Sequence, residues 1–217
     1  MTTIALADDH AVMRNGLATL LKGLGYTILY EAGNGKDFIN KTTQKDIPDI
    51  ALLDINMPVM DGYDTAAWLK EHFPQIKVLA LSMYDDEAAI IRMLKNGARG
   101  YVLKDSDIAD VKAAIESVMT KGYYHSELVT GKLIRSINHL DTPDHASVRE
   151  LLKLSKREVD FLKLACTEMS YKEIAEQMFL STRTIEGYRD DLFEKLGVHT
   201  RVGLVMFAVK NKIVTME

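Results

Sequence analysis

Three carboxylates, one hydroxyl and one ammonium fall at the ends of four apolar runs in this sequence. Asp54 closes the run Asp49-Ile50-Ala51-Leu52-Leu53 and opens the stretch Asp54-Ile55-Asn56-Met57-Pro58-Val59-Met60-Asp61-Gly62. Asp8 and Asp9 follow Ile4-Ala5-Leu6-Ala7, Ser82 follows Val78-Leu79-Ala80-Leu81, and Lys104 follows Tyr101-Val102-Leu103. A carboxylate just beyond a buried strand is where a ligand can reach it. Clustered carboxylates raise one another's pKa values unless a cation joins them. Mg²⁺ suits them, because it takes oxygen ligands and keeps positions for water and phosphate. A carboxylate can also attack a phosphoryl donor to form an acyl phosphate, a transfer governed by positioning and charge neutralisation. The chemistry read from this set is a cation-assisted phosphoryl transfer to Asp54, with Lys104 and Ser82 on phosphoryl oxygens.

These groups need a scaffold that brings strand ends together. The first ~120 residues alternate short β-like runs with segments of helical period, which indicates a parallel α/β sheet. Strands are predicted at Thr3–Ala7, Thr27–Ala32, Ile50–Leu53, Lys77–Leu81 and Gly100–Leu103, rich in Ile, Val and Leu, as when helices cover both faces. Helices are predicted at 12–23, 35–44, 64–72, 86–96 and 107–120. The negative first turn Asp85-Asp86-Glu87 favours one helix start, and Gly97 marks that helix's stop. An open parallel sheet binds ligands beyond the carboxyl ends of its strands, near the switch point. With strand order 2-1-3-4-5, Asp8, Asp9 and Asp54 meet there.

Together these motifs resemble the receiver domain of two-component response regulators, a flavodoxin-like (βα)5 doubly wound fold, over residues 1–121. The resemblance implies that Asp54 accepts a phosphoryl group from a sensor histidine kinase. It implies Mg²⁺ held by Asp9, Asp54 and the backbone carbonyl of Asn56, with Asp8 in support. It also implies that Ser82 and Tyr101 form a switch pair, the tyrosine ring turning inward as the hydroxyl moves toward the phosphoryl group. Asp105 departs from the proline that many receivers carry after the lysine. His10, beside the acidic pair, is read as the start of the first helix rather than a metal ligand.

Residues 122–149 read as an interdomain linker, with one helix over Ser126–Asn138 and a loop at Asp141-Thr142-Pro143-Asp144-His145. Residues 150–217 carry no β signal. Ser155-Lys156-Arg157-Glu158 and Ser170-Tyr171-Lys172-Glu173 are capping boxes, and Ser181 and Thr200 are N-cap candidates. Four short helices follow. The second and third, about 171–178 and 182–196, have helix-turn-helix spacing. Ile185, Tyr188, Leu192 and Leu196 make a buried stripe on the third. Tyr171, Phe179, Phe193 and Phe207 are expected in the core.

The runs Leu154-Ser155-Lys156-Arg157-Glu158-Val159, Glu173-Ile174-Ala175-Glu176-Gln177-Met178 and Leu180-Ser181-Thr182-Arg183-Thr184-Ile185 resemble the LuxR/FixJ (NarL-type) helix-turn-helix family. That family's recognition helix reads double-stranded promoter DNA in the major groove. Lys172, Ser181, Arg183, Thr184, Glu186, Gly187 and Arg189 are the candidate DNA-binding residues. Glu186 and Tyr188 stand where the family commonly has a basic residue and a histidine. Glu186 cannot hold a phosphate but can accept from a cytosine amino group. The last helix offers Val202, Val205 and Met206 for a homodimer contact, and two-fold pairing would match a palindromic site.

Composition excludes several alternatives. The longest apolar runs are too short to span a bilayer, and the N-terminus lacks a signal pattern, so no membrane association is expected. The single cysteine, Cys166, excludes an intramolecular disulfide framework. It reads as a small core residue of a cytoplasmic protein. Net charge is −4, yet residues 150–217 balance at eleven basic and eleven acidic side chains, so DNA contact would rest on a local basic patch. Two other readings stand beside the switched transcription factor. A non-DNA-binding, phosphorylation-dependent interaction module would suit Glu186, Asp190 and Asp191. An aspartyl-nucleophile phosphatase fits less well, because Asp8-Asp9-His10 lacks the Asp-x-Asp spacing and no substrate cap is evident.

Overall fold

The computed structural model describes residues 1–83, 85, 87–127, 129–131, 154–211 and 213–214. The chain forms two compact units, Met1–Ile134 and Arg135–Glu217. Each is described separately.

In the first unit five parallel strands, β1 (Thr3–Ala7), β2 (Thr27–Ala32), β3 (Ile50–Asp54), β4 (Lys77–Ser82) and β5 (Ala98–Leu103), lie in the order β2-β1-β3-β4-β5. The connecting helices are α1 (Ala11–Gly23), α2 (Gly35–Lys41), α3 (Gly62–His72), α4 (Glu87–Lys95) and α5 (Ile108–Lys121). β3 is buried throughout, as a central strand covered on both faces should be. One core cluster joins Phe38, Tyr63, Leu69, Ile90 and Met93 on one side of the sheet. The other joins Ala18, Leu21, Val111, Ile115 and Val118. Burying such side chains is worth roughly 1.5–3 kcal/mol each. α2 stops at Lys41 rather than continuing to 44, because Thr42 is extended and its hydroxyl turns back to the Phe38 carbonyl. α4 ends at Lys95, and Gly97 follows at φ 104°. Asp86 lies outside the described residues.

The second unit packs four helices, α6 (Lys156–Ala165), α7 (Tyr171–Gln177), α8 (Thr182–Leu196) and α9 (Arg201–Lys210). Both predicted capping boxes are formed, with Ser155 and Ser170 accepting from the N–H groups of Glu158 and Glu173. Ser181 and Thr200 cap α8 and α9. Phe161, Leu162, Ile174, Ile185, Leu192 and Leu204 are buried at its centre. Tyr171, Phe193 and Phe207 pack on or within this core, as does half-buried Cys166. Burial pushes the Cys166 thiol up, against the opposing influence of Arg201, and leaves it a poor nucleophile. Phe179 is not a core residue. It is 95% exposed at φ 56°, because the turn between α7 and α8 needs a left-handed residue there and points its side chain outward.

Leu128 and residues 132–153 are outside the described residues, and with them most of the predicted linker helix.

Candidate functional site

The strand order and register bring the predicted strand-end residues together. Asp54 ends β3 and pairs with Leu81, and Ser82 pairs with Leu103, so three strand ends stand side by side. The Lys104 N–H donates to the Ser82 carbonyl at 2.7 Å. The loop returning from Asp54 passes close beneath α3. A Cβ on Gly62 would lie 2.2 Å from the Asp54 carbonyl oxygen, so only glycine admits that approach. Asp61 caps α3 by accepting from the Asp64 N–H at 2.8 Å.

Lys104 Nζ sits 2.8 Å from Asp8 Oδ2 and 2.8 Å from Asp54 Oδ2, and all three side chains are buried. Burial, with Asp8 adding to it, lifts the Asp54 carboxyl above the usual range despite the Lys104 ammonium and an N–H from Asn56. Burial alone would lower Lys104, but its bonds to Asp54 and Asp8 hold it above the ordinary lysine value. One ammonium thus faces two carboxylates away from water, leaving a negative charge uncompensated. This excess is the observation by which a divalent cation fits.

Asp9 is more open. His10 Nδ1 lies 2.9 Å from Asp9 Oδ1 and 3.4 Å from Asp8 Oδ1, and the His10 N–H donates to Asp8 Oδ1 at 2.8 Å. His10 is the N-cap position of α1, as predicted, and its ring also joins the cluster. Candidate ligand atoms of Asp8, Asp9, His10 and Asp54 all fall within 4.8 Å of one another. Asn56 is exposed in the following loop. Sequence reasoning missed Arg14, whose guanidinium donates to the Asp8 carbonyl and approaches Glu31 at 3.7 Å. Its only signal was a basic residue one turn into α1.

Ser82 is 2% exposed at the end of β4. Tyr101 is 1% exposed, so its ring lies inside in this structure. Its cross-strand neighbour is Ala80, whose small side chain leaves the ring room. The Lys104–Asp105 peptide is trans.

In the helical unit, Lys172, Ser181, Arg183, Thr184, Glu186 and Gly187 are exposed on α7, α8 and the turn between them. The Ser181 hydroxyl accepts from the Thr184 N–H at 3.1 Å and pairs with the Thr184 hydroxyl at 2.8 Å. A Cβ on Gly187 would meet nothing within 4 Å among the described residues, so no packing there demands glycine. Arg189, the last of the candidate DNA-binding residues, is half-buried. Its Nε and Nη2 both lie 2.8 Å from Asp190 Oδ1, and its guanidinium lies 5.6 Å from the Tyr171 ring centroid.

Residues 4–116 match the response regulator receiver domain model, and residues 152–208 match that of the LuxR family of bacterial regulatory proteins. The chain is a response regulator of the LuxR family. It is 33% identical over 214 residues to oxygen regulatory protein NreC of Staphylococcus haemolyticus (strain JCSC1435), covering 97% of this chain and 98% of that one. The Staphylococcus aureus (strain JH9) NreC is also 33% identical, over 213 residues and the same shares. Response regulator ChrA of a heme-sensing two-component system matches at TM-score 0.52 and 27% identity, over 98% of both chains. RcsB from Salmonella enterica serovar Typhimurium, bound to promoter rprA with the phosphomimetic BeF3-, matches the fold at TM-score 0.68. Identity there is 23%, over 95% of this chain and 97% of that one. Among the described residues of this regulator, no helix is long and apolar enough to cross a membrane.

Proposed function

We propose that this regulator takes a phosphoryl group on Asp54 from a sensor histidine kinase and thereby changes its binding to promoter DNA in the cytoplasm. The observation that carries this reading is the buried trio Asp8, Asp54 and Lys104, one ammonium short of neutrality. An Asp54 oxygen attacks phosphorus, the phosphorus–nitrogen bond of the kinase phosphohistidine breaks, and the imidazole leaves with the bonding pair. Lys104 then has a phosphoryl oxygen to bind in place of a carboxylate. The Ser82 hydroxyl donates to a second oxygen. Asp9, Asp54 and the Asn56 carbonyl would hold Mg²⁺, with Asp8 behind, and the ion would supply charge neutralisation on the transferring group. Changed occupancy at Lys104 and Ser82 shifts the population of receiver surfaces beside Tyr101.

The output is read as DNA binding by a homodimer. Val202 and Met206 are 69% and 62% exposed on α9, with Val205 half-buried between them, an apolar face suited to a two-fold contact. Lys172, Ser181, Arg183, Thr184 and Arg189 supply phosphate or base contacts, and Glu186 accepts from a cytosine amino group. Incubation with acetyl phosphate and Mg²⁺ should add one phosphoryl group to the wild type and none to Asp54→Ala, as read by intact mass. Labelling of the alanine variant at another residue would overturn the assignment.

A further inference from the structure

The segment after α5 closes over the edge of the receiver sheet. Ser117 Oγ donates to the Tyr123 carbonyl at 2.8 Å, and the Tyr124 N–H donates to the Arg99 carbonyl at 2.8 Å. Tyr124 forms a parallel bridge with Gly100, adding one residue of a sixth strand to β5, the edge strand on that side. Its side chain packs against the core cluster built from α1 and α5. Five residues later Val129 is 2% exposed within the cluster on the opposite face of the sheet. The chain therefore passes around the sheet edge from one face to the other. Gly100 permits this passage: a Cβ there would lie 2.9 Å from the Tyr124 carbonyl oxygen and 2.8 Å from Leu79 Cδ1.

Two features fit this clasp for release. Its anchor, Val129, belongs to the same cluster as Tyr101, and Tyr101 directly follows Gly100 in β5. Tyr101 thus shares a strand with the bridge residue and a core cluster with the anchor Val129. In addition, His125 stacks on Tyr123 with ring centroids 5.7 Å apart, and its buried Nδ1 has no hydrogen-bond partner among the described residues. An unsatisfied buried nitrogen weakens docking and keeps the released form close in free energy.

We propose that residues 123–127 with 129–131 form a clasp docked on the β5 edge and that phosphorylation releases it, lengthening the tether between the receiver and the helical unit. This rests on the reading of Asp54 as phosphoacceptor. The test is hydrogen exchange of peptides spanning 122–131 in the full chain, with and without acetyl phosphate and Mg²⁺, alongside affinity for a mixed-sequence duplex. Phosphorylated wild type should exchange there about tenfold faster than the unmodified chain. Gly100→Ala should reach the fast rate without the donor and bind the duplex as tightly as the phosphorylated wild type. Val129→Asn, which leaves β5 untouched, should do the same. Wild type that gains the phosphoryl group without faster exchange at 122–131 would overturn the proposal. So would released variants that keep the affinity of the unmodified chain. Failure of Asp54 to gain the group would instead sink the phosphoacceptor reading, and the two variants would still decide the clasp.

Discussion

Lys104 is a single cation held between Asp8 and Asp54 at 2.8 Å from each, with all three side chains out of water. Removing one member of a buried charge cluster costs about 3–5 kcal/mol when the remainder is left unpaired. Lys104→Met keeps the volume and removes the charge, so Asp8 and Asp54 then oppose each other. In chelator the receiver should lose roughly that much stability. Millimolar Mg²⁺ should restore more stability to the variant than it adds to wild type, because the cation no longer competes with an ammonium. Urea melts of both proteins in chelator and in Mg²⁺ check this, and equal cation effects on both would refute it. Glu158 is the corresponding residue of the helical unit. It completes a capping box at Ser155 while also pairing with Lys195. Burial alone would raise its carboxyl, but the bonds from Lys195 and Ser155 outweigh burial and hold it below the usual carboxylate range. A depressed folded pKa contributes stability above the unfolded value and loses it as pH falls through the folded one. Glu158→Gln keeps a capping side chain without the charge. It should cost about 1–2 kcal/mol at pH 7, with the difference from wild type shrinking once pH falls below the ordinary glutamate value and vanishing only beneath the depressed folded one. A cost that persists unchanged in acid would assign the effect to packing.

At the scale of elements, local sequence set the ends of strands and helices, and tertiary context set what the sequence did not reveal. The five strands have near-continuous apolar runs, and Ser155, Ser170, Ser181 and Thr200 all cap where their side chains can satisfy backbone N–H groups. These are short-range signals, and they also placed Asp8, Asp54, Ser82 and Lys104 at the strand ends. Phe179 shows where such reasoning stops. An aromatic beside Met178 and Leu180 reads as core, but the turn between α7 and α8 demands positive φ, and that faces the ring outward. Phe179→Asn should therefore leave the helical unit as stable or more stable by up to about 1 kcal/mol, since asparagine tolerates the left-handed region. A core phenylalanine would lose about 3–5 kcal/mol on truncation, so a thermal melt separates the two cases. Other features were hidden for related reasons. The two partners of Lys104, the pairing of Glu158 with Lys195 across 37 positions and the burial of Tyr101 opposite Ala80 are long-range encounters with no periodic signature. The docking of Tyr124 on Gly100 was hidden because a single bridge residue is too short to carry a strand pattern.

At the scale of the whole chain, charge decides what kind of DNA binder this is. Net charge is −4, and residues 150–217 contribute nothing to the balance, so attraction to the duplex rests on a few groups. Arg189 must first leave Asp190 to reach a duplex, so among the candidate contacts Lys172, Arg183 and the first amides of α8 are the readiest sources of phosphate contact. Two side chains per unit give a dimer about four neutralised phosphates, for which log affinity should fall with log salt at a slope near −4. Gly187 adds an independent criterion. Among the described residues nothing fills the space its Cβ would take, so Gly187→Ala should stabilise the helical unit by about 1 kcal/mol through helix propensity alone. If close backbone approach to a duplex is why glycine stands there, the same variant should bind DNA about tenfold more weakly with an unchanged salt slope, because no phosphate contact is lost. Fluorescence anisotropy on a duplex, titrated across salt for wild type and variant, reads both quantities together. A more stable variant with wild-type affinity would show that α8 meets DNA elsewhere. Absence of any salt-dependent association in the wild type would favour a protein partner for this face, to which Glu186, Asp190 and Asp191 would present a row of carboxylates.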